Sequence, residues 1–356
     1  MQRKRADVGI IYDASYEPKD IAQALNGYFS LNYVKLDGKA DQPSPDNRFS
    51  IICSNLASVE TVNFVKHAGK GNKGEKLFIF PTHNQKAISR LDQFDEEQYL
   101  VRPVDPLELR RLAQAGVSRY VERCWEELHP TKRQALKKGL ECFEKCFSQV
   151  RRGEPLPMEE INSSCQEIRN SAALGGLDGW IGALDDHHNY SFRHSMFVCG
   201  TLTYFGSAIG ISGTDLEMLS IGGLLHDVGK AEIPLNILDK PGKLDEEEWQ
   251  IMRTHPDHSR TVLLANNGLD EDTIAMAVSH HEKLDGTGYP DGLSGSQLSD
   301  PVRLTAIADV YSALIDKRAY KGSMSPEAAL DMMEKFHGHL DMDLLGAFRK
   351  FVLDAS

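Results

Sequence analysis

The stretch Leu224-Leu225-His226-Asp227-Val228-Gly229-Lys230 decides the fold of the C-terminal half of this chain. It places a histidine and an aspartate side by side in an apolar run that is typical of a buried helix, with a lysine three residues further on. A buried ionisable group costs free energy unless it is paired or binds a metal ion. Imidazole and carboxylate together suit Zn, Fe, Mn or Co. The stretch therefore predicts a metal site inside a helical domain.

Further ionisable side chains fall on the predicted inward faces of neighbouring helices, because residues at i, i+3, i+4 and i+7 share one face. Helices are predicted at 190–208, 214–230, 246–254 and 272–283, and a fifth begins at Asp300-Pro301. Pro256 disfavours helical geometry at the residue before it, which predicts a helix end or kink there. The set consists of His194, His226, Asp227, His255, His280, His281 and Asp309. So many ligands suit two metal ions with a shared carboxylate and a bridging water or hydroxide.

The C-terminal half resembles the HD-GYP family of bacterial cyclic-dinucleotide phosphodiesterases. The resemblance rests on His226-Asp227-Val228-Gly229-Lys230 and on a run from His280 to Pro290 that reads H-H-E-K-L-D-G-T-G-Y-P. It implies an all-α HD-domain helical bundle and the same set of metal ligands. It also implies that Asp227 bridges the two metals and that Lys230 donates a proton or contacts a phosphate during catalysis.

The resemblance implies further residues for the substrate. The basic residues that bind phosphates in this family fall on Arg318 and Lys321, with Arg303 as a weaker candidate. The loop Gly288-Tyr289-Pro290 is expected to shape the substrate site and to contact partner proteins. Tyr190 stands where members that bind three metals carry a glutamate, and so predicts two metals here. Ser312 replaces a family aspartate, which puts one supporting contact in doubt.

The resemblance implies a metal-dependent phosphodiesterase that opens cyclic di-GMP to linear pGpG, with GMP as a possible further product, through a hydroxide activated by two metals. The implied cofactors are two divalent or mixed-valent metal ions, with Fe favoured and Mn, Zn or Co as alternatives. Two other functions stay open. One is a metal-bearing cyclic-dinucleotide sensor or scaffold with little turnover. The other is an HD phosphohydrolase of another nucleotide, such as cyclic GMP-AMP.

The N-terminal third alternates short apolar runs with helical patterns, which predicts a doubly wound α/β domain with a parallel sheet. Strands are predicted at 8–12, 33–36, 49–53, 77–80 and 99–101, with helices at 21–29, at 59–68 and from Pro106. The order resembles a response-regulator receiver domain. However, Cys53-Ser54-Asn55 stands where receivers carry the phosphoacceptor aspartate, and Arg102 replaces their lysine. The resemblance therefore implies a degenerate pseudo-receiver used for dimerisation or docking.

The 356 residues predict a multidomain chain with a receiver-like domain at 1–116, a helical connector at 117–184 and an HD-GYP phosphohydrolase domain at 185–356. The net charge of −12 argues against DNA and membrane surfaces as partners, and no apolar run is long enough to span a bilayer. The six cysteines form no C-x-x-C pair and no signal peptide is visible, which predicts reduced thiols in the cytoplasm. The expected partners are cyclic di-GMP, a GGDEF diguanylate cyclase or another signalling protein, and a second copy in a homodimer.

Overall fold

The computed structural model describes residues 6–13, 16–36, 47–56, 62–63, 65, 74–94, 98–185, 187–240, 242–316 and 324–354. Contacts divide the chain into two compact units, Met1–Cys124 with Asp186–His188 and Trp125–Asp185 with Asn189–Ser356. The predicted boundaries at residues 116 and 184 stay predictions. Among the described residues, no helix is both long and apolar enough to cross a membrane.

The N-terminal unit contains a five-stranded sheet in the order β2-β1-β3-β4-β5, in which every pairing is parallel. The strands are β1 Ala6–Asp13, β2 Leu31–Leu36, β3 Asn47–Cys53, β4 Glu75–Phe80 and β5 Tyr99–Val101. At the buried centre, Ile10 pairs with Ile51, and Ile51 pairs with Leu77. This order is that of a doubly wound fold, and it confirms the predicted α/β class.

Both faces of this sheet are covered, because its central strands are apolar on both sides. The helices are α1 Lys19–Leu25, α2 Gln85–Ile88 and α3 Pro106–Cys124, with a 3-10 turn at Leu91–Phe94. Ile10 and Ile51 pack with Leu109 of α3 on one face. Ile52 and Phe78 pack on the other face with Leu91. The predicted helix at 59–68 lies largely outside the described residues.

The end of β3 carries a buried thiol where a receiver would carry its phosphoacceptor. Cys53 has no exposed surface, and burial raises the pKa of its thiol to about 12. The guanidinium of Arg102 lies 3.9 Å from the centroid of the Tyr16 ring and 2.6 Å from Asp20 Oδ1. The Arg102 side chain is therefore held by protein groups on the N-terminal unit.

The second unit is built from helices joined by short turns. They are α4 Pro130–Arg151, α5 Met158–Ala172, α6 Leu177–Leu184, α7 Tyr190–Ala208, α8 Gly213–Leu225, α9 Leu235–Leu238, α10 Glu246–Met252, α11 His255–Leu264, α12 Glu271–Ser279, α13 Asp300–Ile315, α14 Pro326–Met333 and α15 Met342–Asp354. Further 3-10 turns lie at Trp125–Glu127, Val228–Glu232 and Gly295–Gln297.

Helix α7 is the central element of this unit, and it is buried from Ser191 to Gly206. The Asn189 side chain caps its start by accepting a hydrogen bond from the backbone N–H of Phe192 at 3.0 Å. Helix α8 approaches α7 so closely that a Cβ on Gly223 would lie 2.8 Å from the Cα of Cys199. The helical prediction at 190–208 is confirmed. The close packing places the C-terminal end of α8 and the residues of α7 in one core.

Three predicted helices are longer than the observed ones. The helix predicted at 214–230 ends at Leu225, and the one at 272–283 ends at Ser279. The helix predicted at 246–254 ends at Met252, and α11 then begins at His255, as the proline after it predicted. The early end of α8 has a clear cause in long-range packing. A Cβ on Gly229 would lie 2.1 Å from the carbonyl oxygen of His255, so the chain turns there against α11.

Candidate metal centre

The structure brings all of the predicted ligand side chains together in the helical unit. Their possible ligand atoms form two groups, each with its atoms within 4.8 Å of one another. One group is Asp227, His255, His280 and His281, and the other is His194, His226 and Asp309. Helices α7 and α13 contribute side chains from within the helix, whereas α8, α11 and α12 contribute them from their ends. The geometry suits two neighbouring cations, and metal ligation by these residues stays a prediction.

The carboxylate of Asp227 lies between the two groups. Its Oδ1 lies 3.2 Å from Nε2 of His255 and 3.8 Å from Nε2 of His280. Its Oδ2 lies 3.3 Å from Nε2 of His226 and 3.5 Å from Nε2 of His194. One oxygen therefore faces each group, which is the arrangement that a bridging carboxylate requires.

Asp309 also reaches both groups. Its Oδ1 lies 2.9 Å from Nε2 of His194, and its Oδ2 lies 3.8 Å from Nδ1 of His281. The His281 side chain is 24% exposed, whereas that of His280 is fully buried. His281 therefore lies where the centre meets solvent.

Backbone carbonyls fix the tautomers of three imidazoles. Nδ1 of His226 donates to Gly223 O at 2.8 Å, and Nδ1 of His255 donates to Met252 O at 2.8 Å. Nδ1 of His280 lies 3.1 Å from the carbonyl oxygens of Met276 and Ala277. Because a carbonyl oxygen can only accept, each Nδ1 carries the proton and each Nε2 presents a lone pair to the centre.

The lone pairs in the first group need a cation. Asp227 Oδ1, His255 Nε2 and His280 Nε2 are all buried and take part in no hydrogen bond among the described residues. Three acceptor atoms that face one another without a donor repel, and burial in a low dielectric increases the cost. A divalent metal ion at this point would satisfy all three. The residues present therefore fit a metal, and imidazole with carboxylate suits Fe, Mn, Zn or Co.

The electrostatics keep the side chains in the protonation states that metals require. Burial favours the neutral acid at Asp227, but Lys230 and His226 hold the pKa of its carboxyl well below the usual range. Burial lowers the pKa of His194, and burial together with His226 lowers the pKa of His280 to about 3. At neutral pH these two imidazoles are neutral and the Asp227 carboxylate is ionised, as metal binding requires. His226 differs, because Asp227 raises its pKa despite the opposing effect of burial.

Lys230, predicted from the sequence to take part in catalysis, contacts the carboxylate of Asp227. Its Nζ donates to Asp227 Oδ2, and its side chain is 14% exposed. The contact compensates part of the negative charge of the two buried carboxylates. The lysine thus lies at the centre, and its catalytic role stays a prediction.

The loop that contains Gly288, Tyr289 and Pro290 lies against His281. The rings of Tyr289 and His281 stack with centroids 4.8 Å apart and planes 26° apart. A Cβ on Gly288 would lie 2.4 Å from the Cα of Glu282, so only glycine permits this approach. Oε1 of the buried Glu282 accepts from the backbone N–H groups of Asp291 and Gly292 at 2.7 and 2.9 Å. The buried glutamate therefore fixes the loop beside the centre.

The other predicted substrate residues are placed differently. Arg303 donates to Leu298 O, Gly295 O and Asp341 Oδ2 at 2.9, 3.0 and 3.0 Å, so its guanidinium is engaged by the protein. Its predicted contact with substrate stays a prediction. Arg318 and Lys321 lie outside the described residues.

Tyr190 and Ser312, the two residues that depart from the family pattern, both lie within the described residues. The ring of Tyr190 stacks on His194 with centroids 5.8 Å apart and planes 10° apart, and it offers no carboxylate. Ser312 is fully buried, and within the described ranges its Oγ makes no hydrogen bond.

Sequence reasoning missed three features near the centre. The first is Glu282, which fixes the loop beside the centre. It belongs to the H-H-E run, so the motif could have identified it. Arg193 and Asp316 form a buried ion pair, with Nε 2.8 Å from Oδ1, and nothing in the spacing of the two residues predicts it. Arg253 lies over the Tyr289 ring, with its guanidinium carbon 4.4 Å from the ring centroid. Its only signal in the sequence was its position two residues before His255.

Comparison with known proteins gives a family match and several relatives. The model of the HD domain family matches residues 158–344. A cyclic di-GMP phosphodiesterase of Pseudomonas aeruginosa is 35% identical over 195 residues, which are 55% of this chain and 46% of that protein. The 3'3'-cGAMP-specific phosphodiesterase 1 of Vibrio cholerae is 36% identical over 187 residues, 52% of this chain and 42% of that protein. A cyclic di-GMP phosphodiesterase response regulator of Xanthomonas campestris is 38% identical over 133 residues, 37% of this chain and 35% of that protein. The chain thus spans less than half the length of each of these relatives.

Proposed function

The chain belongs to the HD domain family, and from that premise we propose that it is a metal-dependent phosphodiesterase of cyclic dinucleotides, with cyclic di-GMP as its substrate. The relatives named as cyclic di-GMP phosphodiesterases support this substrate class. The single observation that carries the proposal is the Asp227 carboxylate, which turns one oxygen to each of two groups of buried ligand side chains. Two adjacent cation sites can together stabilise the attacking and leaving oxygens when an anionic diester is cleaved.

The HD domain implies divalent metal binding, and we assign the two groups of side chains to two metal ions. Iron is our favoured metal, with Mn, Zn or Co as alternatives, because nitrogen and oxygen ligands predominate. When bound, two such ions would stabilise the charge on the phosphoryl oxygens and lower the pKa of a water molecule.

The chain supplies the remaining chemistry. Asp227 connects the two metal sites. Lys230 partly neutralises that carboxylate, and we propose that it protonates the leaving 3′-oxygen or contacts the phosphate, since it is within reach of Asp227 Oδ2. We propose that Arg318 and Lys321 bind the flanking phosphate and that the loop at Gly288, Tyr289 and Pro290 forms one wall of the substrate site. The stacking of Tyr289 on His281 supports this position for the loop. Arg303 stays a weaker candidate, because its donors are engaged by the protein.

A second substrate is favoured by a specific observation. The relative from Vibrio cholerae that is specific for 3'3'-cGAMP is as similar to this chain as the cyclic di-GMP phosphodiesterases are. A mixed cyclic GMP-AMP is therefore the alternative substrate. Its backbone carries the same two phosphates, so the metal centre alone would not distinguish the two.

A substrate panel tests the proposal. Metal-loaded protein, purified without oxygen, is incubated with cyclic di-GMP, 3'3'-cGAMP and mononucleotides, and the products are separated by chromatography. We expect linear pGpG from cyclic di-GMP, with slower conversion to GMP. Tight binding of cyclic di-GMP without any product would instead identify a sensor, and cleavage of mononucleotides alone would identify another kind of phosphohydrolase.

For the N-terminal unit, we propose a pseudo-receiver that occupies about residues 1–116, followed by a helical connector to residue 184 and the catalytic domain at 185–356. The parallel sheet with its buried Cys53 supports this, because no carboxylate stands at the end of β3. Its function would be self-association into a homodimer or docking of a signalling protein such as a GGDEF diguanylate cyclase. The loop at Tyr289 is the second proposed docking site.

A further inference from the structure

Three side chains lie next to one another at the exposed side of the metal centre. Nδ1 of His281 lies 3.8 Å from Asp309 Oδ2, and the His281 ring stacks on the Tyr289 ring. The guanidinium of Arg253 covers the Tyr289 ring, 4.4 Å from its centroid. Arg253 follows the end of α10, where its backbone N–H donates to Trp249 O at 3.0 Å. An arginine is therefore held one aromatic ring away from a predicted metal ligand.

Among the residues that the structure describes, Arg253 differs from the other arginines near the centre because it has no acidic partner. Arg193 pairs with Asp316, Arg260 with Asp257 and Asp291, and Arg303 with Asp341. Within the described part of the chain, the side chain of Arg253 has the Tyr289 ring as its contact and no carboxylate within ion-pair distance. The face of a tyrosine ring orients a guanidinium but leaves its N–H donors available.

We propose that Arg253 is a further ligand of the phosphate of the cyclic dinucleotide that is not being cleaved. This inference rests on the proposed function, since it assumes a substrate with two phosphates. A guanidinium presents its donors in a planar fork that matches two phosphate oxygens, and such charge-assisted pairs are among the stronger hydrogen bonds. Among the described residues, Arg253 forms no ion pair with Asp227 or Asp309, the two carboxylates of the candidate metal centre, and its contact is with Tyr289. The ring-shaped substrate has a second phosphate away from the one at the metals, and we assign Arg253 to that second phosphate.

A purely structural function for Arg253 is the alternative that the experiment must exclude. In that case the cation would only hold Tyr289 and its loop in place, and its loss would disturb the centre as a whole. The two cases differ in what they do to substrates of different size. Loss of a contact to the second phosphate weakens binding only of a substrate that has one. Loss of loop structure impairs every substrate and changes metal content or thermal stability.

The test compares Arg253→Gln, Arg253→Lys and the control Arg260→Gln in metal-loaded full-length protein. The control removes an arginine on neighbouring α11 that is already paired with Asp257 and Asp291. Each variant is assayed with cyclic di-GMP and with bis(p-nitrophenyl) phosphate, which carries a single phosphate. Metal content and thermal midpoint are measured alongside.

We expect Arg253→Gln to raise KM for cyclic di-GMP by about ten-fold or more, as loss of a charge-assisted hydrogen bond does, with kcat nearly unchanged. Hydrolysis of bis(p-nitrophenyl) phosphate, metal content and thermal midpoint should stay at the wild-type values. Arg253→Lys should recover part of the affinity, because it keeps the charge without the planar fork. Arg260→Gln should resemble wild type with both substrates.

An unchanged KM for cyclic di-GMP in Arg253→Gln would overturn the inference while leaving the proposed function intact. Equal losses with both substrates, accompanied by lost metal or a lowered thermal midpoint, would assign Arg253 to the structure of the loop and also overturn it. If metal-loaded wild-type protein neither binds nor cleaves a cyclic dinucleotide, the proposed function fails first, and the inference fails with it.

Discussion

Oδ1 of Asp227 lies 3.2 Å from Nε2 of His255, and neither atom carries a proton that it can share. The imidazole carries its proton on Nδ1, which donates a hydrogen bond to Met252 O, and interactions with Lys230 and His226 keep the carboxyl ionised despite its burial. Two acceptors at this distance in a buried site are stable when a cation lies between them. The arrangement therefore supports the proposed metal site.

Replacing Asp227 with alanine should remove both metals, because each of its oxygens faces one group of ligands. Elemental analysis of the purified variant should show near-complete loss, and hydrolysis should be lost with it. Asp257→Ala is the matched control, since that carboxylate is exposed and pairs with Arg260. Full metal content in Asp227→Ala would show that the bridge is misassigned.

Tyr190 should limit the centre to two metals, because its ring stacks on His194 where a third site would need a carboxylate. Wild-type protein should contain close to two metal ions per chain. Tyr190→Glu supplies the missing carboxylate and should raise metal content toward three, whereas Tyr190→Phe keeps the ring and should leave it unchanged. A fully occupied third site in wild type would contradict this.

The metal-free protein should lose stability as the pH falls from 7 toward 5. The pKa of His280 is lowered to about 3 and that of His194 is lowered also, whereas in the unfolded chain both titrate near 6.5. The unfolded state then binds more protons below about pH 6.5, so the free energy of unfolding falls with pH. His226 has a raised pKa and opposes this loss, because its contribution to the free energy of unfolding is fully present below pH 6.5. Burial and His280 lower the pKa of His281 as well, so three lowered imidazoles of the centre oppose one raised imidazole and the net effect is a loss of stability.

Urea unfolding of chelator-treated protein at a series of pH values measures this effect. Added metal should raise the midpoint at pH 7 and lose its effect on acidification, since its ligands must be deprotonated. A midpoint of the metal-free protein that rises on acidification would contradict the burial of these histidines as neutral groups.

The N-terminal unit should not accept a phosphoryl group. Strand β3 ends at Cys53, whose pKa is raised to about 12 by burial, and a neutral thiol is a poor nucleophile. Incubation with acetyl phosphate or a sensor kinase, followed by intact-protein mass spectrometry, should show no added phosphate. An acid-labile phosphate that disappears in Asp13→Asn would overturn the assignment as a pseudo-receiver.

Local sequence patterns predicted much of this structure, and long-range packing explains what they missed. The apolar stripe of α7 predicted its bounds at Tyr190 and Ala208, because helix periodicity is a local property. The same reasoning extended α8 to residue 230, whereas the chain turns after Leu225. The cause is the approach of Gly229 to His255, which lies far away in sequence.

In the candidate site too, local sequence patterns predicted some features and long-range packing decided the others. The ligand residues were predictable because a histidine or aspartate on an apolar helix face is costly unless it is satisfied. The opposed oxygens of Asp227 depend on where three helix ends meet, and no spacing in the sequence gives that. The position of Arg253 over Tyr289 arises in the same way, from residues on separate segments that meet beside His281.

The most direct test of the central claim is a metal titration of anaerobically prepared, metal-free protein, followed by the rate of pGpG formation from cyclic di-GMP. We expect no product without metal, and a rate that rises with added Fe or Mn and saturates near two ions per chain. In Asp227→Ala the same titration should give no product at any metal concentration. Cyclic di-GMP left intact by wild-type protein that holds its full complement of metal would contradict the account.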